Sequence, residues 1–336
     1  MAHEIYNSSF VYRGEPAWHG IGAELPEEHQ YNMREAFRCA QADFAVETFA
    51  LTGPDGEDMA KFAKGVRRCD TRDPIGVVGP SFEPLQWEAM ADAYQPMLDA
   101  RLATVETVGV LKGGSRLFAL VKFGAPLEIV PGDDVLPYGL IVHAHDGTLS
   151  VKMGPTAIRV VCNNTVQVAL TDKRSQLLSI KHRSGVDRAV RDAGTLIQHA
   201  HDQITVWADF ARAMAKRDLN PAELSRFVKA TFPERFTFKD PADALLAKLG
   251  IPVANEATPS EKFLAQFMDI FEGQGAGSKL PGVRGTLWGA FNAATELSQH
   301  HTAFRSPGTR TDSILFGSAA DTARKAQKAA RELLAA

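Results

Sequence analysis

The sequence predicts an α+β fold, with a central antiparallel β-meander packed by helices and a mostly helical C-terminal part. Three observations carry that reading. Apolar and polar residues alternate at period two over 116–123 and 137–145, and strand-like runs at 104–111, 149–153 and 156–162 accompany them. Short turn signals join the strands of each pair, Lys112-Gly113-Gly114-Ser115 in one hairpin and Asp146-Gly147 in the other. A parallel sheet would instead need a helix between each pair of strands. Beyond residue 184 the apolar residues recur at steps of three and four, the spacing of one helical face. The chain therefore divides into an α+β core over 1–183 and a helical region over 184–336.

Taken in order, Asn32 caps a helix over 32–42 that places Met33, Ala36 and Phe37 on one side. Residues 44–51 read as a strand, and 59–67 as a second strand or a short helix. Residues 84–100 form an amphipathic helix carrying Leu85, Met90, Ala93, Tyr94, Met97 and Leu98. In the hairpin centred on Asp146-Gly147, Tyr138, Leu140, Val142 and Ala144 share one face, and Ile141, His143 and His145 the other. Gly154-Pro155 is expected to interrupt the return strand, which resumes over 156–162. Asn163, Asn164 and Thr165 then offer side-chain oxygens to cap a helix over 166–172. A seam at Val186, Val190, Ala193, Ile197, Ala200, Ile204, Trp207, Ala211 and Met214 predicts one long heptad helix over 185–216, packed on another helix of this chain or of a neighbouring one. Further helices follow over 221–231, 260–272, 286–300 and 318–334, and the second of these turns Phe263, Leu264, Phe267, Ile270 and Phe271 inward.

Hydrophobic residues make up 45% and charged residues 23% of the 336, an ordinary globular balance. No apolar stretch reaches the ~18 residues of a membrane span, and the first residues form neither a basic leader nor an apolar core. The expectation is a cytoplasmic protein with no membrane association. Three dispersed cysteines, Cys39, Cys69 and Cys162, give no disulfide framework or zinc spacing. A net charge of −3 argues against a globally basic nucleic-acid binder, yet residues 147–200 alone carry +5. A local basic block in an acidic chain is what a confined phosphate-binding groove requires.

The candidate site follows from that block. Lys152, Arg159, Arg174, Lys181, Arg183 and Arg188 would hold phosphates, with the Asn163 and Asn164 amides beside them. Trp87, Phe118 and Tyr138 could offer faces for unpaired bases. The Arg67, Arg68 and Arg72 cluster is interleaved with Asp70 and Asp73 and reads as a solvated loop. The Gly-rich stretch 273–279 lacks the spacing of a phosphate loop, because a helical pattern precedes it where a strand is required. His143 and His145 are candidate metal ligands, but two imidazoles fall short of the three or four donors a metal needs. The favoured reading makes them satisfied polar residues on the second face of the sheet, with no metal and no cofactor. No nucleophile–base pair suggests catalysis, so the reading leans away from an enzyme.

A resemblance extends over most of the chain. His143-Ala-His-Asp-Gly-Thr148 followed by Ile158-Arg-Val-Val-Cys-Asn-Asn-Thr165 resembles the hallmark of a phage- and plasmid-borne family, domain-of-unknown-function family 932. Trp18-His19-Gly20, the block of Val78, Gly79, Phe82, Pro84 and Gln86, the pair Glu106-Thr-Val-Gly109 and Gly113-Gly-Ser-Arg116, and Gly285-Thr-Leu-Trp288 with Asn292-Ala293 are similar to its other elements. The resemblance implies a remote kinship to the single-strand annealing proteins of phage recombination, the Rad52/RecT-like group. The function expected is binding and annealing of single-stranded DNA by a homo-oligomer without bond chemistry. The alternatives are a metal-dependent nuclease or hydrolase built on the His143/His145 region, and a non-catalytic phage protein that counters a host system.

Overall fold

The hairpin of β6 (Ala103–Leu111) and β7 (Arg116–Phe123) forms as its alternation requires, closed by a tight turn in which Gly113 and Gly114 take positive φ angles of 64° and 97°. The computed structural model describes residues 5–13, 22–159, 164–166, 178–197, 200–237, 258–303, 313–314 and 317–336. The remaining strands of the main sheet are β1 (Ile5–Tyr12), β2 (Ala23–Glu24), β8 (Leu127–Val130), β9 (Asp133–Ala144), β10 (Val151–Arg159), β11 (Asn164–Val166) and β12 (Leu178–Ile180). Their order is β11-β10-β9-β7-β6-β1-β2, with β12 also on β10 and β8 also on β9. Every pairing in it is antiparallel except β1 with β2. The meander β6-β7-β9-β10 is thus the one the sequence predicts. A separate three-stranded sheet joins β3 (Val46–Ala50), β4 (Lys64–Arg68) and β5 (Pro74–Val78).

Two helices sit against the sheet. Asn32 caps α1 (Met33–Cys39) by accepting a hydrogen bond from the Glu35 backbone N–H. Helix α2 (Trp87–Asp99) starts three residues later than its apolar pattern suggests. Gln86 is the reason: its side chain bonds both backbone groups of Val46, which holds Gln86 extended just outside the helix. Met90, Tyr94 and Leu98 of α2 are fully buried, each adding about 1.5–3 kcal/mol of burial. The Tyr94 hydroxyl donates to the Leu140 carbonyl on β9 at 2.9 Å.

The C-terminal part is helical: α3 (Val186–Ile197), α4 (Ala200–Ala215), α5 (Pro221–Thr231), α6 (Glu261–Asp269), α7 (Leu287–His300) and α8 (Ser318–Leu334), with a short β13 (Phe236–Thr237) and β14 (Thr258–Pro259) hairpin between α5 and α6. The part of the heptad seam whose side chains are described is spent inside the chain. Val186, Val190 and Ala193 of α3, and Trp207, Ala211 and Met214 of α4, are buried in the same apolar cluster as the sheet. Gly194 makes the α3–α2 contact possible, because a Cβ there would lie 2.1 Å from the Ala93 carbonyl oxygen. Helix α7 is buried along nearly its whole length and is tied to the sheet by Trp288, whose indole N–H donates to buried Asp133 at 2.8 Å.

Four local expectations are corrected. Strand β10 runs unbroken through Gly154-Pro155, with Pro155 opposite Gly139 on β9. The proline falls where β10's outer edge passes between β12 and β11, a position at which a strand tolerates it. Asn164–Val166 is a return strand paired with β10, Asn164 opposite Arg159, so no helix begins at Val166; strand pairing of the β-branched Thr165 and Val166 wins over capping. The seam over 185–216 is carried by two helices, α3 and α4, with 198–199 outside the described residues. Leu264 is 41% exposed while Phe263, Phe267, Ile270 and Phe271 are buried, since those four recur at i, i+4, i+7 and i+8 on one face and Leu264 falls at its edge.

Candidate functional site: a basic sheet edge and a buried histidine cluster

Strand alternation sorts the basic block. Lys152 stands opposite Ser179 in the β10–β12 pairing, and its Nζ donates to the Ser179 hydroxyl at 2.9 Å. Two residues on, Lys181 is exposed, and Arg183 is exposed after it. Among the described residues none of these three cations has a carboxylate partner. Arg188, also exposed, lies 3.6 Å from Asp192 and is partly neutralised. Arg159 and Asn164 are register partners at the far end of β10, seven residues and roughly 23 Å from Lys152. The cluster ranked from the sequence is thus split between the two ends of one strand edge. Their side chains, Asn163 and Arg174 lie outside the described residues.

Two further expectations are overturned. Trp87, Phe118 and Tyr138 are at most 8% exposed, so none offers a face to a base. Burial also pushes the Tyr138 hydroxyl far above its ordinary range, with the Glu106 charge adding to the shift. The Arg67–Arg72 cluster is compensated, but by Glu47 of β3, which pairs with both Arg67 and Arg72, and Arg67 and Arg68 end strand β4, where the sequence suggested a loop. Arg68, however, is drawn inward, held by Asp70 at 2.6 Å and stacked 3.8 Å from the Phe44 ring.

The sequence singled out two histidines; the structure assembles three. His143 and His145 project from the same face of β9, their ring centroids 4.4 Å apart in an edge-to-face arrangement. His182, between Lys181 and Arg183, turns inward as they turn outward and comes within 5.4 Å of His143. Phe82 stacks on the other side of His182 at 4.7 Å, and Phe44 flanks His145 at 6.3 Å. All three imidazoles are buried, and none of their six ring nitrogens has a hydrogen-bond partner among the described residues. His143 and His145 are therefore not the satisfied polar residues the sequence suggested. The Lys-His-Arg alternation at the end of β12 was the signal for the third member.

Burial in apolar surroundings disfavours the imidazolium form, and neighbouring rings add to the shifts of His143 and His145. Burial and the two neighbouring rings hold His143 well below its ordinary range. Burial, with His182 opposing and Asp146 favouring charge, takes His145 down to about 3. His182 is lowered by burial too, and the carbonyls of Glu83 and Leu149 partly offset this. At neutral pH all three are uncharged. Among the described residues no group of three or more His, Cys, Asp or Glu is arranged to hold a metal ion.

The linkage has a definite sign. The unfolded chain takes up protons near 6.5 while the folded rings stay neutral, so stability is complete above that pH and falls below it. Lowering the pH from about 7.5 to about 5.5 should cost about 3–4 kcal/mol, because only the unit below 6.5 counts and each fully shifted ring loses ~1.4 kcal/mol across it. Urea unfolding at the two pH values measures this, and a His143→Leu/His145→Phe/His182→Phe variant should lose most of the difference.

A family model described as a domain of unknown function, DUF932, matches residues 74–315, most of the chain. The chain belongs to this family. No curated protein and no solved structure matches it. Several of the family-like residues have clear structural roles in this DUF932 chain. Gln86 joins β3 to α2 and takes a third hydrogen bond, from its backbone N–H to Asp187 at the start of α3. Phe82, from the same block, stacks on the histidine cluster whose other members come from the His143–Thr148 block. Glu106 sits at a β-bulge, where the β6–β7 register shifts between Val105 and Thr107. Burial raises its carboxyl pKa, with Lys122 and Arg13 opposing. Thr286 caps α7, and Asn292 bonds the Trp288 carbonyl one turn back.

Proposed function

We propose that this DUF932 protein binds single-stranded DNA through its phosphates along the side of the sheet where β12 meets β10 and promotes annealing of complementary strands as a homo-oligomer. The observation that carries the reading is the grouping of Lys152, Lys181 and Arg183 on one sheet edge with no carboxylate partner among the described residues. An uncompensated strip in a chain of net charge −3 gives a strand a confined place to bind. Arg159 and Asn164 at the other end of β10 would extend the path. With Trp87, Phe118 and Tyr138 buried, the bases are left unstacked by those side chains and free to test pairing. Annealing requires no bond chemistry, and no described cluster of metal-binding type supports the rival hydrolase reading. Because Val186, Val190, Ala193, Trp207, Ala211 and Met214 of the heptad seam are packed within the chain, self-association through those residues is not expected.

A strand-annealing assay tests the proposal. Complementary oligonucleotides quenched on pairing should anneal at least about ten-fold faster with the protein than without it at low ionic strength, and the gain should fade as salt rises. An annealing rate the protein leaves unchanged at every salt concentration would remove this reading.

A further inference from the structure

The strongest anomaly outside the DNA-binding reading is the set of three buried imidazoles: His143 and His145 have no hydrogen-bond partners among the described residues, and His182 meets the Glu83 and Leu149 carbonyls only outside ordinary hydrogen-bond geometry. Leaving buried polar groups unsatisfied costs about 1–3 kcal/mol each. The cost of an imidazolium in their place would be larger still. The three members are not equally free to escape it. His143 lies in β9 and His145 directly follows it, and β9 is paired on both sides by β7 and β10, so moving either ring means breaking the central sheet. His182 sits on the connection between the three-residue strand β12 and α3. Its attachments are the stack on Phe82, one hydrogen bond from the Glu83 N–H to its carbonyl at 3.2 Å, and the nearby carbonyls of Glu83 and Leu149.

We infer that residues 181–185 form a pH-gated latch, closed while the His182 ring is neutral and released when that ring takes up a proton. The charged and titratable groups around it set the direction. His143 and His145 face it from β9, and Asp146 lies at the end of that strand. Exposed Glu83 precedes α2, and Asp187, at the start of α3, is engaged with the Gln86 N–H. Lys181 and Arg183 flank the histidine on its own segment, and Arg68 stacks on Phe44 beyond His145. A protonated His182 would therefore face two more imidazoles, with cations on both sides. Turning out to water relieves it at the cost of three β12 pairings and the Phe82 stack. Release also carries Lys181 and Arg183 away from Lys152, so the latch would control the assembly of the basic strip. Its opening does not depend on what that strip binds.

Hydrogen exchange of backbone amides, corrected for intrinsic exchange, tests the latch at about pH 7.5 and about pH 5.5. Protection over 178–184 should fall about ten-fold or more at the lower pH, with β6 and β7 changing far less. His182→Phe, which keeps a ring against Phe82 and has no proton to gain, should show the same protection at both. Should that variant fold poorly, His182→Gln makes the same comparison. Unchanged protection in the native chain, an equal loss in the His182 variants, or a uniform loss across the sheet would overturn the latch. So would stoichiometric zinc retained through purification, which would make the histidines metal ligands.

Discussion

Trp288→Ala should destabilise the protein by about 4–5 kcal/mol, the largest loss expected from a single side chain. The indole is completely buried, stacks on Phe291 at 5.7 Å, meets the edge of Trp207 at 5.9 Å and donates to Asp133 at 2.8 Å. Removing it opens a large cavity where α7, α4 and β9 meet and takes the indole N–H from a buried carboxylate. Trp288→Phe fills most of the space but lacks the donor. Its loss should be smaller, about 2 kcal/mol, and concentrated in the hydrogen bond. Chemical unfolding of both variants separates the packing loss from the polar one. Equal stability of Trp288→Ala and the native chain would contradict this account of how the helical part is joined to the sheet.

Reversing charge at Lys181 and Arg183 together should reduce affinity for single-stranded DNA by about 100-fold at low salt. It should also lower the slope of log affinity against log salt by about 1.4, since two phosphate contacts at ~0.7 each are lost. Both side chains are exposed and without ion pairs among the described residues, so Lys181→Glu/Arg183→Glu should leave the fold intact. Circular dichroism and the unfolding midpoint check that point. Arg188→Glu, by contrast, reverses a residue already facing Asp192 and should cost far less affinity. Equal losses for the two variants would mean that binding senses total charge and has no particular strip.

The sheet was legible from its turn signals and from strands whose two faces carry different residue types, although both faces of β7 and β9 are buried. Leu140, Val142 and Ala144 share one face and Ile141, His143 and His145 the other, and β9 realises that division. Where tertiary pairing overrides local propensity, legibility failed. Gly154-Pro155 reads as a break because the opposing Gly139 cannot be known in advance, and Asn163–Thr165 reads as a cap because pairing with Arg159 is non-local. The basic block was visible as composition, but its division between two ends of β10 depends on the order in which β11 and β12 dock. The histidine cluster was only two-thirds legible. His182 belongs to it through a fold-back of nearly forty residues, and only its inward turn between two outward cations hinted at burial. Side chains chosen as stacking faces were aromatic for the ordinary reason, that large apolar rings fill cores.

The most direct test of the central claim is equilibrium binding of fluorescent single- and double-stranded oligonucleotides of one sequence across a salt series. Binding along the side of the sheet where β12 meets β10 predicts a preference for the single strand and a linear fall of log affinity with log salt, with a slope of about −2 to −3 for three to four contacts at ~0.7 each. Equal affinity for the two forms, or affinity for the single strand that ignores salt, would contradict it.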